Sequence, residues 1–211
     1  MTAIQSVTLE VSDPVAAAGF YDAFAPGPWL QLRAASGPST GFRGFSLSLV
    51  VPQPATVDTF LTAALAAGAT TLKPTKLGFW GYGGVIQAPD GAIWKVATSA
   101  KKNTGPAVRQ VDDSVLLLGV ANVKASKQFY LDHGFTVRRS FGSKYVEFDA
   151  PASAVKLALY TRRAAAKDVG VDPAGGGSHR FAIGGGTGSC TDPDGFVWEH
   201  APVLSDDRAG R

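Results

Sequence analysis

The chain has 211 residues, of which 45% are hydrophobic and 18% charged, and its formal net charge is +3. This composition is typical of a packed globular protein, and its scattered Lys and Arg residues form no basic stripe, so nucleic acid is not an expected partner. The single cysteine, Cys190, excludes an internal disulfide and fits a reducing compartment. Without a bilayer-spanning apolar run or a secretory pattern, we expect a cytoplasmic protein with no membrane partner.

The first half of the chain shows alternating strand signals and two helix signals. Asp13 and Pro14 are typical of a helix start, and this helix ends in Phe20-Tyr21. A second helix, over 56–67, has apolar residues at helical spacing and ends at Gly68. Strands are predicted at 4–11, 29–33, 45–51, 70–72, 79–87 and 92–98.

The second half opens with a similar pattern and then shortens. Asn122 begins a helix that runs to about His133, and the same Phe-Tyr pair, Phe129-Tyr130, lies near its end. Residues 162–168 predict one or two extra helical turns. Strands are predicted at 114–120, 136–140, 144–148, 155–161 and 179–183.

The two halves also close on a shared phrase, A-P-D-G-A-I-W-K at 88–95 and D-P-D-G-F-V-W-E at 192–199. A repeat of about half the chain predicts two domains of ordinary size. We place them at 1–99 and 111–204, with a linker at 100–110 and a tail at 205–211. Because strand side chains alternate, Trp94 and Trp198 in the closing phrases are predicted to be core residues.

One element of the repeat is missing from the second half. Residues 51–88 of the first copy hold a helix and two strands, whereas only 184–191 separate the matching strands of the second, and four of those eight residues are Gly. Such a segment cannot hold a comparable helix. We therefore predict that the second domain lacks one helix and that 162–168 covers the exposed sheet face instead.

The V-T-L-x-V-x-D-P phrase, the helix ending in F-Y and the P-D-G-x-x-W-[K/E] phrase together resemble the vicinal-oxygen-chelate superfamily, which includes glyoxalases, bleomycin-resistance proteins and extradiol dioxygenases. The resemblance covers most of the chain. It implies an α+β fold of two tandem glyoxalase-like domains, built of paired βαβββ units whose sheets curl around a cavity. In that family a divalent metal usually sits in the cavity.

The resemblance also implies where metal ligands would stand. Those positions hold Ser6, Ser46 and Lys95 in the first domain, and Val115, Ala158, His179 and Glu199 in the second. A Lys in a ligand position repels a cation, and two ligands are fewer than the three usual for catalytic zinc. We therefore expect no tightly bound metal or other cofactor, and at most a weakly bound divalent metal at His179 and Glu199.

Other residues are candidates for ligand binding. Phe79, Trp80 and Tyr82 lie among glycines, which suits either the mouth of a pocket or a packed hairpin that plugs the sheet. Lys95 is either a cavity cation for an anionic ligand, half of a salt bridge or a solvated residue. Ser6, in a metal-ligand position, completes the ligand-binding set.

Three functions are open at this point. The first is a binding protein of the bleomycin-resistance kind, which holds a small aromatic ligand in a sheet-lined cavity with a degenerate metal site. The second is a glyoxalase-like lyase or related enzyme that uses His179 and Glu199 as an acid/base pair, with or without a metal; a purely structural contact is the alternative for that pair. The third is a degenerate domain pair kept for protein interaction. We expect a monomer, in which the domains form a pseudo-dimer, or a homodimer.

Overall fold

The computed structural model describes residues 3–149, 151–186 and 188–200, so the predicted tail at 205–211 and the last residues of the second domain lie outside the described residues. The first half folds much as its pattern predicts. The side chain of Asp13 caps the first helix by accepting hydrogen bonds from the backbone of Val15 and Ala16. Its elements are β1 Ile4–Val11, α1 Pro14–Phe24, β2 Leu30–Ala34, β3 Ser39–Gly41, β4 Phe45–Val50, α2 Pro54–Ala66, β5 Thr70–Gly78, β6 Gly81–Gln87 and β7 Ile93–Thr98.

The second half repeats this capping, because Asn122 accepts from Lys124 and Ala125. No helix occurs at 184–186 or 188–191, as the glycine content predicts. The elements are β8 Asp113–Val120, α3 Val123–Asp132, β9 Thr136–Phe141, β10 Tyr145–Asp149, β11 Lys156–Thr161, α4 Arg162–Val169, β12 Gly175–Gly177, β13 Phe181–Gly185, β14 Cys190–Thr191 and β15 Val197–Glu199.

Some boundaries differ from the prediction. The strand predicted at 79–87 begins only at Gly81, because Phe79 and Trp80 form a two-residue turn between β5 and β6. Gly81 follows this turn directly and has a φ of 124°, and a Cβ there would lie 1.9 Å from the carbonyl oxygen of Thr98. His179 was predicted to open a strand but lies two residues before β13.

Each of the two large sheets combines strands from both halves of the chain. One has the strand order β5-β6-β7-β4-β8-β11-β10-β9, and β4 joins β8 in antiparallel register from Phe45 opposite Leu118 to Val50 opposite Asp113. The other has the order β14-β15-β13-β1-β2, with β1 antiparallel to β13. The opening strands of the first half therefore pair with the closing strands of the second half.

The two large sheets share one hydrophobic core with the first three helices. Trp94 and Trp198 lie in it with 0% and 1% of their surface exposed, which confirms their prediction as core residues. The repeated Phe-Tyr pairs pack beside them, with Phe129 partly buried and the other three rings buried. Each Tyr hydroxyl donates a hydrogen bond to a carboxylate: Tyr21 to Asp90 and Tyr130 to Asp192, both over 2.7 Å. These bonds tie the opening helix of each half to its closing turn.

Helix α4 lies on the opposite side of the eight-stranded sheet. Ala165, Ala166 and Val169 are fully buried in a second, smaller cluster with residues of β6, β7, β8 and β11. We predicted that this segment covers a sheet face in place of the missing helix. It does cover a sheet face, namely the face of the eight-stranded sheet that points away from the main core, so the helix lies where an exposed sheet surface would otherwise remain.

The architecture is α+β, as predicted. No helix of the described residues is long and apolar enough to cross a membrane.

Candidate functional site

The candidate site residues are divided between two sheet surfaces that point away from the main core. The five-strand face is the surface of the smaller sheet that carries Ser6, Glu10, Arg33 and Glu199. The eight-strand face is the surface of the larger sheet that carries Ser46, Lys95, Val115 and Ala158. Successive side chains of a strand point to opposite faces, and the strand registers show which residues of neighbouring strands lie side by side. Together they assign each set of residues to one face. Ser6 therefore shares a face with Glu199 and not with Lys95.

On the five-strand face an arginine stands between two carboxylates. The guanidinium of Arg33 donates two hydrogen bonds to Glu199, over 2.9 and 2.8 Å, and another to the buried Glu10 over 2.7 Å. The hydrogen bond to Glu199 raises the pKa of Arg33, partly offset by burial, and Glu10 adds to the rise. The arrangement keeps a fixed positive charge beside Glu199. Ser6 lies on the same face, buried, with its hydroxyl oxygen lacking a partner among the described residues.

His179 lies at the end of this face and is held by the backbone. Its Nδ1 is 2.6 Å from the carbonyl oxygen of Arg43 and its Nε2 is 3.1 Å from that of Asp194. The ring also packs on Phe196, with 4.2 Å between centroids. Each ring nitrogen therefore faces a carbonyl oxygen, while Glu199 is bonded to Arg33. The structure does not bring His179 and Glu199 together as a hydrogen-bonded pair.

The donors present do not fit a divalent metal on either face. The described residues contain no group of three or more His, Cys, Asp or Glu side chains arranged to hold an ion. Arg33 supplies a cation beside Glu199, and Lys95 supplies one on the other sheet. A catalytic zinc site usually needs three protein ligands, and a neighbouring cation opposes the binding of an ion.

On the eight-strand face, Lys95 forms a salt bridge with α4. Its Nζ lies 2.9 and 3.1 Å from the two carboxylate oxygens of Asp168. A second lysine, Lys73 on β5, donates to the carbonyl oxygens of Lys167 and Asp168 over 2.7 and 2.6 Å. Those carbonyls belong to the last turn of the helix, where a cation is favourable. Of the alternatives for Lys95, the geometry matches the salt bridge.

Glycine makes the close approach of α4 possible. A Cβ at Gly119 on β8 would lie 3.0 Å from the Cβ of Ala165 and 3.1 Å from the Cα of Arg162. The helix therefore rests directly on the backbone of β8. Since the small side chains of α4 meet a strand without a side chain, the helix occupies part of the eight-strand face and leaves a groove along its flank.

This groove has a volume of about 780 Å³ and combines aromatic and cationic side chains. Its aromatic wall is Tyr160, whose ring lies 4.8 Å from that of Tyr145, which in turn lies 5.9 Å from Phe141. We call these three rings the aromatic ladder; they occupy paired positions of β9, β10 and β11. The groove is lined by Lys73, Ser143, Lys144, Tyr160, Thr161, Arg163, Ala164, Lys167 and Asp168.

The tyrosines of the ladder remain neutral near physiological pH. Burial raises the pKa of Tyr160, and the charge of Asp168 adds to the rise. Burial also raises the pKa of Tyr145 far above its usual value, with a further contribution from Glu147. The hydroxyl group of Tyr160 can therefore donate and accept hydrogen bonds at the groove, whereas that of Tyr145 donates to Glu147 over 3.3 Å.

Sequence reasoning missed most of this groove. None of its residues is a candidate site residue in the sequence, where most of them fall within predicted strands and the helical segment 162–168. Alternation along β10 and β11 could have placed Tyr145 and Tyr160 away from the core. Their strand neighbours, Val146 and Leu159, are more apolar and should face the core, so the two tyrosines should point to the opposite side of the sheet. Their meeting with α4 depends on tertiary contacts that no local pattern contains.

The predicted aromatic segment lies elsewhere. Phe79 and Trp80 are 80% and 88% exposed at the tip of the β5–β6 hairpin, with their rings 4.9 Å apart. Tyr82 turns to the helix side of the sheet and donates to Asp58 of α2 over 2.8 Å. The tip neither plugs the sheet nor lines the groove beside α4, so the geometry matches neither of the two sequence interpretations.

Comparison with known proteins agrees on the fold. Glyoxalase I from Zea mays superimposes with a TM-score of 0.58 at 12% sequence identity, covering 94% of this chain and 91% of that chain. A putative dioxygenase from Bacillus subtilis subsp. subtilis str. 168 gives 0.53 at 12% identity, covering 86% and 69%. No protein-family model and no curated protein sequence matches. The chain therefore has the fold of glyoxalase I, built as two tandem glyoxalase-like units, as the repeated phrases predicted.

Proposed function

We propose that the protein binds a small aromatic ligand in the groove beside α4, without the help of a metal ion. The observation that carries this proposal is Tyr160, which forms the aromatic wall of an open groove on the eight-strand face and is backed by the other two rings of the aromatic ladder. A volume of about 780 Å³ lies within the usual range for small-molecule sites, roughly 300–1,000 Å³. Aromatic walls favour flat ligands because rings stack.

The contacts of Lys95 support a site that works without a metal. In the resemblance this residue replaces a metal ligand, and in the structure its ammonium group is bonded to Asp168. The fold's usual chemistry depends on a bound ion, whereas the groove offers stacking surface and hydrogen-bonding groups. A binding or sequestering role, as in bleomycin-resistance proteins, needs no more than these groups.

A glyoxalase-like lyase is the second candidate. It is favoured by a cleft of about 400 Å³ on the five-strand face, which is lined by Glu10, Arg33 and His179. Catalysis by His179 and Glu199 would require His179 to leave at least one backbone carbonyl and Glu199 to leave Arg33. Replacing either residue by Ala therefore separates the proposals: turnover or binding lost in both variants supports the lyase, and unchanged ligand affinity supports the groove.

The groove is tested by titrating a panel of aromatic compounds into the protein by calorimetry. For the compounds that bind, we expect Tyr160→Ala to weaken affinity about tenfold, since stacking and buried ring area are lost. Tyr82→Ala is the matched control, because Tyr82 points to the helix side of the sheet. Equal affinities in the two variants would place the ligand elsewhere.

Tryptophan fluorescence gives a second readout. Trp80 is exposed, whereas Trp29, Trp94 and Trp198 are buried. A ligand in the groove should leave the Trp80 emission unchanged. Quenching that disappears in Trp80→Phe would instead favour the aromatic hairpin tip as the binding site.

A further inference from the structure

The groove beside α4 carries a one-sided charge. Four cationic side chains line it, from Lys73, Lys144, Arg163 and Lys167, together with one carboxylate, that of Asp168. This carboxylate is already bonded to Lys95, which lies 2.9 Å away on the sheet beneath. An excess of positive charge therefore remains at the groove.

None of the four cations forms an ion pair within the described residues, and only one of them has a side-chain hydrogen bond there. Lys73 is committed to carbonyl oxygens at the end of α4. By contrast, Lys144, Arg163 and Lys167 form no ion pair with any residue in the part of the chain that the structure describes. Lys144 comes from the β9–β10 turn and the other two from α4, so they approach the groove from two sides.

Two other acids on the eight-strand face do not offset these cations. Glu147 follows Tyr145 on the same face of β10 and is bonded to Arg138 over 2.8 Å and to Arg139 over 3.5 Å. Asp113, on β8, is bonded to Lys156 over 2.6 Å. These two carboxylates therefore have their own cations, and among the residues that line the groove the only carboxylate, that of Asp168, is paired with Lys95.

Resting on the proposed function, we propose that the ligand of this groove is a flat aromatic anion, whose ring stacks on Tyr160 and whose anionic group is held by Lys144, Arg163 and Lys167. Arg163 can donate two parallel hydrogen bonds to a carboxylate, which gives direction as well as charge. The two lysines add charge without fixing an orientation. A carboxylate, a sulfonate and a phosphate share this chemistry.

Three naphthalene probes of similar shape test the charge requirement: 2-naphthoate, 2-naphthamide and 2-naphthylmethylamine, titrated by calorimetry into the full chain. We expect naphthoate to bind at least about tenfold more tightly than the amide, and the amine to bind weakest. The preference for naphthoate should shrink at high ionic strength, because exposed charges are screened. Naphthyl phosphate and naphthalene sulfonate then distinguish the anionic groups.

Substitutions show whether the named cations are responsible. Arg163→Gln and Lys167→Gln should each weaken naphthoate binding about three- to tenfold and leave the affinity for naphthamide unchanged. Lys124→Gln, on the exposed side of α3, is the matched control. Lys144 lies outside α4, in the β9–β10 turn. Lys144→Gln should weaken naphthoate binding in the same way, and it tests the proposal even if the helix variants fail to fold.

The outcomes separate this inference from the function on which it rests. If naphthamide binds as tightly as naphthoate and both depend on Tyr160, the groove binds aromatic ligands but the requirement for an anion is wrong. If naphthoate binds with affinity that Lys144, Arg163 and Lys167 do not influence, the assigned contacts are wrong. If no probe binds, or binding ignores Tyr160, the proposed function fails together with the inference.

Discussion

Two side chains, Arg33 and Lys95, place a positive charge on the two outer sheet faces. The sequence already shows one of them, because Lys95 occupies the position that Glu199 holds in the second copy. Arg33 has no such signal. Its contact with Glu199 joins residues 166 positions apart and exists only because β2 lies next to β1 in the smaller sheet.

The buried tyrosines are also residue-scale features, and their pKa values predict a dependence of stability on pH. Burial raises the pKa of Tyr130 well above its usual value of 10.0, and the charge of Asp192 adds to the rise. The folded state therefore keeps a proton that the unfolded state loses above about pH 10. Stability should be retained below that pH and fall as the pH rises beyond it.

Tyr130→Phe tests this prediction through urea unfolding at several pH values. At neutral pH the variant should lose about 1–3 kcal/mol, because the buried carboxylate of Asp192 loses a donor. Above pH 10 its stability should fall less steeply than that of the parent, since one raised pKa has been removed. An identical slope for both proteins would show that Tyr130 does not titrate in this way.

At the scale of elements, helix α4 decides what the eight-strand face can bind. The polar and alanine-rich pattern of 162–168 correctly predicted a helix that lies on a sheet. Its location could not be predicted, because the face that it covers is created by β4 pairing with β8, far apart in the chain. The need for Gly119 beneath Ala165 also becomes visible only in three dimensions.

A larger side chain at Ala165 should lift α4 from the sheet. Ala165 is fully buried and its Cβ would be within 3.0 Å of any Cβ at Gly119, so Ala165→Leu should cost about 1–3 kcal/mol of folding stability. The same substitution at Ala125, exposed on α3, is the control. Limited trypsin digestion should cut the Ala165→Leu variant faster at Arg162, Arg163 and Lys167. Equal cleavage in both variants would contradict the tight seating of α4.

At the scale of the whole molecule, the two halves are joined by their sheets. The repeat predicted two similar units, and each half contains the predicted strands and helices in order, together with short strands, such as β3 and β12, that were not predicted. The repeat could not predict that strands of one half pair with strands of the other, because local sequence patterns do not specify which strands become neighbours in a sheet. Residues 100–110, predicted as a linker, contain no helix or strand, and Gln53 holds this segment by accepting from Thr104 and donating to Pro106.

This shared construction predicts a single cooperative unfolding transition. Separating the halves would break the β4–β8 and β1–β13 pairings and expose strand edges on both sheets. Calorimetric and van't Hoff enthalpies should therefore agree for the full chain. Two resolved transitions, or a chain of residues 1–110 that folds as a stable monomer, would contradict the prediction.

The central claim of the proposed function is that Lys95 and Arg33 place protein cations at or beside positions that the resemblance assigns to metal ligands, so ligand binding should not depend on a metal. The most direct measurement is the metal content of the purified protein after incubation with zinc, nickel, manganese or ferrous iron and removal of the unbound ion. We predict far less than one equivalent of any of them, and naphthoate affinity that EDTA does not change. One equivalent retained by the protein and lost in Glu199→Gln would contradict the claim.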